Sequence, residues 1–437
     1  MSVPQFAGTG NGLQNFRIFP QNAPADNVFG HQANPIISFE LPSSNVLLKM
    51  KDLRVTGKMR VKAGTFGGSI ANTQINQYLG VNSAFQTMTL SSRNSRAVIE
   101  RIVNYPILVN SILPAIKDSA SFRNELGEEM LSTQSNNFMK NYIMTQMSQD
   151  AEGVEFSTPV FMGVTMASGD SVPLQQIGGV VLTIELAPDS AVFTTSDAIQ
   201  PQYELFDLAL VGCYYVGDDE ERSLTANMSD GVLEVNTFSS LFSTVQSTQQ
   251  TATYSLGLSD VIAVLFSFCP AVFINNYQFD QNARLRLSEM TTTSSNQLVK
   301  VNALRNGVQV PFNYDLSVVP ESLEAELHRY YLMSLSKISE LTTSSVDSTT
   351  NDIRYALGST GNLVTTTNLL KDINKANVCY GIPYDILGYN SGISFDSSPL
   401  TLELTSTLKD GTSNAQNVYV LSKVKIMYGK DGIRVMN

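Results

Sequence analysis

The chain has 437 residues, of which 43% are hydrophobic and only 15% are charged, and a length of this size predicts two or three domains. The formal net charge of −11 argues against a dedicated nucleic-acid binder, whose phosphate contacts need a basic footprint. A weakly charged surface rich in Ser, Thr and Asn suits contact with copies of the same chain, because little charge is desolvated when it is buried.

The first 30 residues are rich in Gly, Asn and Pro and carry isolated phenylalanines without hydrophobic periodicity. We interpret residues 1–30 as an extended N-terminal arm whose aromatic side chains anchor it to another surface. A disordered tail is the alternative. The segment has neither the basic nor the apolar region of a signal peptide. The longest apolar run, Val261–Phe266, is too short to cross a bilayer.

Period-two alternation and β-branched residues predict strands in the next part of the chain, namely NPIISFELP, DLRVTGKMRVKAG and FQTMTLSS. The period then changes. Val98 and Ile102 are four residues apart, as are Leu108 and Ile112, and this spacing predicts short helices interrupted at Pro106. Strands return in VEFSTPVFMGVTM, GGVVLTIELA and YELFDLALVGCYYV.

An acidic run, GDDEERS at 217–223, interrupts the apolar pattern near the middle of the chain. It lacks the spaced oxygen ligands of a calcium loop, so we favour a solvated linker over a cation site. We place a domain boundary here.

The second half begins with strands in GVLEVNTFSSLFSTV, TATYSLGLSDVIAVLFSFCP and ARLRLSEM, and it ends with strands in PLTLELTSTL and NVYVLSKVKIMYG. Between them, Asn306-Gly307 predicts a two-residue β-hairpin turn. Pro320 suits a helix start. The apolar face of that predicted helix consists of Leu323, Leu327, Tyr331, Leu335 and Ile338.

The two halves repeat one order of landmarks. The pentads Leu182–Leu186 and Leu400–Leu404 (LTIEL and LTLEL) lie 218 residues apart. Tyr105 and Tyr330 are 225 apart, and a final strand ends near a tyrosine in each half, with an offset of 214. Nearly constant offsets in one order indicate that the chain contains two copies of one β-rich unit.

Each copy has about 200 residues and some eight short strand signals, which suits a single β-sandwich. Composition does not separate a jelly roll from an immunoglobulin-like sandwich, but the helical insertion between strands favours the jelly roll. The predicted fold is all-β with short helical insertions, as two tandem eight-stranded jelly rolls. The predicted divisions are an arm at 1–30, a first roll at 31–222 and a second roll at 223–437.

Candidate catalytic residues are few. His31 has no second ligand at metal spacing, and His328 falls within the predicted second helix. Cys213, Cys269 and Cys379 are far apart, which argues against a disulfide framework and fits a reducing compartment. No nucleophile elbow, zinc motif, phosphate loop or dinucleotide fingerprint is present. We therefore assign no catalytic, cofactor-binding or metal-ligating residue and predict that the chain is not an enzyme.

Paired carboxylates would be needed for a carbohydrate-active β-sandwich, the alternative function that we considered. Glu185 and Glu403 are the candidates, but they occupy equivalent places in the two copies. The chain has no Trp to line a sugar site.

Basic residues alternate along two predicted strands and so share one face of each. Solvated lysines that protect a sheet edge are the favoured interpretation. A basic surface for lipid, nucleic acid or an acidic neighbour is the alternative. The residues are Lys58, Arg60 and Lys62, preceded by Lys49, Lys51 and Arg54, and near the C-terminus Lys423 and Lys425.

Several longer stretches, in this order, carry a family resemblance: NPIISFELPSSNVLLKMKDLRVTGKMRV, SRAVIERIVNYPILVNSIL with its I-E-x-x-x-N-Y signature, VPLQQIGGVVLTIELAPDSAVF with P-L-x-x-I-G-G, TYSLGLSDVIAVLFSFCPAVFINNYQFD, and LRNGVQVPFNYDLS. They resemble the double jelly-roll major capsid proteins of adenoviruses, tailless phages, virophages, polinton-like elements and large DNA viruses. The resemblance runs from about residue 34 to the C-terminus.

This resemblance implies two jelly rolls side by side and a homotrimer with a pseudo-sixfold outline in an icosahedral capsid. The implied partners are further copies of the chain, penton and minor capsid proteins and, in a virus with an inner membrane, that membrane through the N-terminal arm. It implies no cofactor and no specific nucleic-acid recognition. The implied location is the virion, after synthesis inside the host cell.

Overall fold

A computed structural model describes residues 12–66, 73–76, 79–112, 129–131, 143–148, 152–166, 171–195, 198–216, 231–245, 249–270, 297–310, 316–317, 330, 333–334, 380–385, 392–407, 414–429 and 432–436. Most of this part of the chain is β-strand.

The strands of the first half are β1 (Gly12–Ile18), β2 (Val28–Phe29), β3 (Ile36–Leu41), β4 (Leu47–Val61), β5 (Thr73–Ile75), β6 (Phe85–Ser92), β7 (Val98–Val103), β8 (Val154–Pro159), β9 (Val172–Pro173), β10 (Val180–Leu186), β11 (Phe193–Thr195) and β12 (Tyr203–Val216). The helices include α1 (Tyr105–Ile112), α2 (Gly163–Met166), α3 (Asp189–Val192) and a 3₁₀ helix, η1 (Gly80–Ala84), and residues 143–148 are helical as well.

The strands of the second half are β13 (Val232–Val245), β14 (Gln249–Tyr254), β15 (Val261–Pro270), β16 (Gln297–Arg305), β17 (Val308–Gln309), β18 (Leu316–Ser317), β19 (Tyr380–Pro383), β20 (Leu400–Thr407), β21 (Asn414–Gly429) and β22 (Gly432–Met436).

Two antiparallel sheets form the first roll. One has the order β1–β12–β4–β8, with β2 beside β12 and β9 beside β4, and the other has the order β7–β6–β10–β3. Alternate side chains of each strand face the core between the sheets, as Ile37, Phe39 and Leu41 do on β3. A small β5–β11 pair stands apart from both sheets.

The second roll repeats this arrangement. Its sheets have the orders β13–β21–β15–β19, with β22 beside β21, and β14–β20–β16–β17, with β18 beside β16. In chain order, β1, β3, β4, β6, β8, β10 and β12 therefore correspond to β13, β14, β15, β16, β19, β20 and β21. The two repeated pentads lie on β10 and β20, each between two antiparallel neighbours. The topology thus confirms the predicted duplication.

One sheet continues from the first roll into the second. β7 of the first roll pairs in parallel with β13 of the second through Arg101 and Ser239. The larger hydrophobic core also crosses this boundary, because it includes Phe238, Tyr419 and Leu421 together with the core of the first roll. A smaller core around Phe266 belongs to the second roll alone.

Most strand predictions agree with the structure, and β6 and β12 begin and end at the predicted residues. The hairpin at Asn306-Gly307 is confirmed. β16 pairs with β17 across it, and the two residues have φ of 51° and 78°, as the mirror-image turns of tight hairpins require.

Three predictions differ from the structure. Residues 163–166, part of the predicted strand VEFSTPVFMGVTM, form the helix α2, and β8 ends at Pro159. Residues 98–103 form strand β7 rather than a helix, because they pair with β6 while Ile99 and Ile102 pack in the core. The helix begins at Tyr105. Residues 12–18 form β1, paired along its whole length with β12, rather than a free arm. Four predicted segments lie outside the described residues: residues 1–11, the acidic run at 217–223, the predicted strand ARLRLSEM and nearly all of the predicted helix after Pro320.

Candidate functional site

The two rolls meet at a junction built from three segments of the first roll and two strands of the second. The first roll contributes β7, the Asn104–Tyr105 turn that leads into α1, and α2. The second contributes β13 and β21. We call this region the roll junction. It fixes how one roll is placed against the other.

A buried carboxylate lies at the centre of the roll junction. Glu100 is 2% exposed. Its Oε1 accepts hydrogen bonds from the backbone N–H of Gly163 (2.8 Å) and of Phe238 (2.7 Å), and its Oε2 accepts one from Val164 N–H (2.9 Å). One side chain therefore satisfies backbone donors from both rolls. Burial raises the pKa of Glu100 to about 7, although the three N–H donors lower it.

Gly163 allows α2 to touch β13. A Cβ atom at this position would lie 2.7 Å from Thr237 Cα, 2.8 Å from Thr237 C and 2.9 Å from Phe238 N. These neighbours are backbone atoms of the second roll and cannot rotate away. Glycine is therefore required here by close approach rather than by an unusual φ.

Asn104 connects the two rolls through its side chain and its backbone. Its Nδ2 donates to Asn417 Oδ1 (2.9 Å), and its Oδ1 accepts from Gln86 Nε2 (2.8 Å). Its carbonyl oxygen accepts from the Tyr419 hydroxyl (2.8 Å). Its φ of 54° is left-handed, a conformation that Asn adopts more readily than most residues. The turn is thus held from β6 and from β21.

Tyr105 and Ser240 complete the contacts. The buried Tyr105 hydroxyl accepts a hydrogen bond from Phe161 N–H (2.9 Å), and burial raises the pKa of this hydroxyl well above its usual value. Ser240 Oγ on β13 accepts from Val103 N–H (2.9 Å). The backbone N–H groups of Val103, at the end of β7, and of Phe161, after β8, thus each have a side-chain partner from another element.

The I-E-x-x-x-N-Y signature noted in the sequence coincides with this region, since it comprises Ile99, Glu100, Asn104 and Tyr105. We did not predict that these residues join the rolls. A glutamate at an inward position of a strand was the available signal, but the four-residue spacing of Val98 and Ile102 indicated a helix.

The carboxylates considered for sugar chemistry do not form a pair across a cleft. Glu185 lies on β10 of the first roll, with a half-exposed side chain 4.0 Å from Arg101. Glu403 lies on β20 of the second roll and accepts a 3.4 Å hydrogen bond from Asn302. They belong to different sheets of different rolls.

The other sequence candidates are dispersed. His31 Nδ1 lies 3.3 Å from the carbonyl oxygen of Leu186, and Cys213 is a free, half-buried thiol. His328 and Cys379 lie outside the described residues. In the described ranges, no three His, Cys, Asp or Glu side chains gather into a metal-binding group. Over the same ranges, no helix is long and apolar enough to span a membrane.

The basic strand faces are paired with acids. β4 is an interior strand between β12 and β8, so its lysines do not protect an edge. Their partners come from neighbouring strands and from Glu129. The ion pairs are Arg60–Glu204 (2.8 Å), Lys58–Glu155 (3.9 Å), Arg54–Glu129, Lys423–Glu234 (3.7 Å) and Lys425–Glu234 (3.6 Å).

Comparison with known proteins finds similarity in structure only. No family model and no curated protein matches the sequence. The Faustovirus major capsid protein is 7% identical, with a TM-score of 0.58 over 98% of this chain and 92% of its own. A chain of the Sputnik virophage is 8% identical, with a TM-score of 0.54 over 100% and 90%.

A third similar structure is PBCV-1 VP54, as fitted into a cryo-EM reconstruction of the virophage Sputnik. It is 11% identical, with a TM-score of 0.50 over 99% of this chain and 98% of its own. At such low identities the likeness concerns the fold. Over nearly its whole length, the chain therefore has the double jelly-roll fold.

Proposed function

We propose that this chain is a major capsid protein that self-assembles as pseudo-hexameric trimers into an icosahedral virus shell. The observation that carries the proposal is the pair of equivalent rolls, in a fold shared over 98% of the chain with the Faustovirus major capsid protein. Three such chains place six similar rolls around one axis, so a threefold trimer can tile a nearly hexagonal lattice. The chain acts by burying its own surfaces and not by catalysis.

An open strand edge on the first roll supports self-association. β13 of the second roll pairs with β21 on one side and with β7 on the other. The equivalent strand β1 pairs with β12 alone among the described strands. β1 contains no Pro or Lys, and no bulge interrupts its register, so Arg17 is the one usual edge protection that it carries. In the proposed trimer, the second roll of a neighbouring copy covers this edge.

Exposed apolar residues accompany the open edge. Leu13 on β1 is 52% exposed, and Phe19, directly after it, is 56% exposed. On the second roll, Val308 at the start of β17 is 65% exposed. Burial of such side chains between copies would stabilise a trimer.

The proposed domains are the first roll, ending near residue 222, and the second roll, from 223 to 437. We propose that the N-terminal segment outside the sheet contacts neighbouring capsomers, or an inner membrane in a virus that has one. The proposed partners are further copies of this chain and the penton and minor capsid proteins. The proposed location is the virion of a DNA virus.

Light scattering on a sizing column tests the proposal. We expect a mass of about three times 47.7 kDa, with hexagonal outlines in negative-stain images of the peak. A stable monomer that binds or cleaves sugars would contradict it and would favour the carbohydrate-binding alternative, with Glu185 and Glu403 as the first residues to test.

A further inference from the structure

Glu100 connects the two rolls through a single oxygen atom. Its Oε1 accepts Gly163 N–H of the first roll and Phe238 N–H of the second, whereas Oε2 accepts only Val164 N–H of the first roll. We propose that Glu100 is a positioning residue that holds the second roll against the first through Oε1, and that proton uptake at Oε2 strengthens the folded roll junction. The inference concerns each chain and does not depend on trimer formation.

A neutral Glu100 carboxyl can keep the two hydrogen bonds that Gly163 and Phe238 donate to Oε1. With the proton on Oε2, Oε1 is a carbonyl oxygen with two lone pairs, enough for Gly163 and Phe238. The contact with Val164 is the one that weakens. The neutral form also avoids the free-energy cost of holding a charge away from water.

Among the residues that the structure describes, no positive charge compensates the carboxylate of Glu100. β6 and α2 carry no titratable side chain. On α1 the nearby titratable group is Tyr105, whose hydroxyl is bonded to Phe161 N–H. The charged side chains of β7, β10, β13 and β21 in this region are exposed or half-exposed and pair with one another, as Arg101–Glu185, Lys423–Glu234 and Lys425–Glu234.

The pH dependence follows from proton linkage. Burial raises the pKa of folded Glu100 from 4.5 to about 7. Between these values the folded chain holds a proton that the unfolded chain has lost. The stability contributed by this proton is therefore fully present below about pH 4.5 and disappears as the pH rises through about 7.

Urea unfolding of the wild type, Glu100→Gln and Glu185→Gln tests the inference. Between about pH 5 and pH 7, we expect the folding constant of the wild type to fall about 40-fold relative to that of Glu100→Gln. Glutamine keeps a carbonyl oxygen for Gly163 and Phe238 but has no proton to lose. Glu185→Gln removes a half-exposed charge and should keep the wild-type profile.

A merely structural role would give a different result. Glu100→Gln would then lower the folding constant by the same factor at every pH, and such parallel profiles would overturn the inference. Should Glu100→Gln fail to fold, infrared spectra of the folded wild type can decide. We expect the C=O band of one protonated carboxyl to disappear with a midpoint near pH 7, and the absence of such a band at about pH 6 would also overturn it.

Discussion

Glu100, Asn104 and Gly163 contribute in different ways to joining the two rolls. Glu100 accepts three buried backbone N–H groups, and a buried donor without a partner costs about 1–3 kcal/mol. Asn104 places the chain in a left-handed turn while its polar atoms bond to both rolls. Gly163 has no side chain where the backbones of α2 and β13 touch. Together these three residues define one arrangement of the second roll against the first.

Replacement of Gly163 by alanine should weaken the roll junction. The new methyl group would overlap Thr237 and Phe238 backbone atoms, so one roll must shift, and we expect the free energy of unfolding to fall by about 1–3 kcal/mol. Gly212→Ala is the matched control, because there a Cβ meets side-chain atoms of Phe16 and Leu53, which can move. Urea unfolding measures both. Equal losses would contradict the role given to Gly163.

Substitution of Asn104 separates its two contributions. Asn104→Gly and Asn104→Ala lose the same side-chain hydrogen bonds to Gln86 and Asn417, but only alanine must strain into φ of 54°. We expect alanine to destabilise the chain by about 1 kcal/mol more than glycine. Thermal unfolding compares the two variants. If alanine is as stable as glycine, backbone strain does not contribute at this position.

At the scale of elements, the strands were predictable wherever one face is buried and the other is not. β3, β6 and β12 show this alternation in their residues, and the Asn306-Gly307 turn is determined by local chemistry. The repeated pentads predicted that β10 and β20 occupy equivalent places. Such signals are local or periodic, so they can be recognised in a single sequence.

The roll junction was not predictable in the same way. Val98 and Ile102 fit a helical spacing. β7 pairs with β6 directly before it, but its partner in the second roll is β13, about 140 residues later in the chain. Glu100 accepts a hydrogen bond from the backbone N–H of Phe238, and Asn104 donates one to Asn417. Contacts over such separations leave no local pattern. The pairing of β1 was missed because its apolar residues, Leu13, Phe16 and Ile18, do not alternate regularly with polar ones.

The open edge of β1 leads to a prediction about assembly. Leu13→Lys places a charge on the edge that the proposed trimer covers, so we expect trimers to dissociate at concentrations where the wild type does not. Ile36→Lys is the matched control. Ile36 is similarly exposed, but it lies on β3, whose counterpart β14 takes no part in the roll junction. Sedimentation or light scattering over a dilution series measures the effect.

Dissociation of both variants, or of neither, would contradict the assignment of this edge to the trimer interface. Both chains should remain folded, since each substitution lies at the surface, and their circular dichroism spectra should match that of the wild type. This control separates loss of assembly from loss of fold.

At the scale of the whole molecule, duplication accounts for the proposed function better than any single residue. A chain with two similar rolls presents similar edges twice, and one of these edges is already covered within the chain by β7. Low charge, with 15% of residues charged, keeps the desolvation cost of further burial small. The ion pairs along β4 further reduce the number of unpaired charged side chains at the surface.

The most direct test is a cryo-EM reconstruction of the purified, assembled protein. We expect three chains around a threefold axis, six roll-shaped densities in a nearly hexagonal ring, and the edge of β1 in each chain covered by the second roll of its neighbour. A monomer, or an oligomer in which the rolls do not form a ring, would contradict the proposal that this chain is the building block of a capsid.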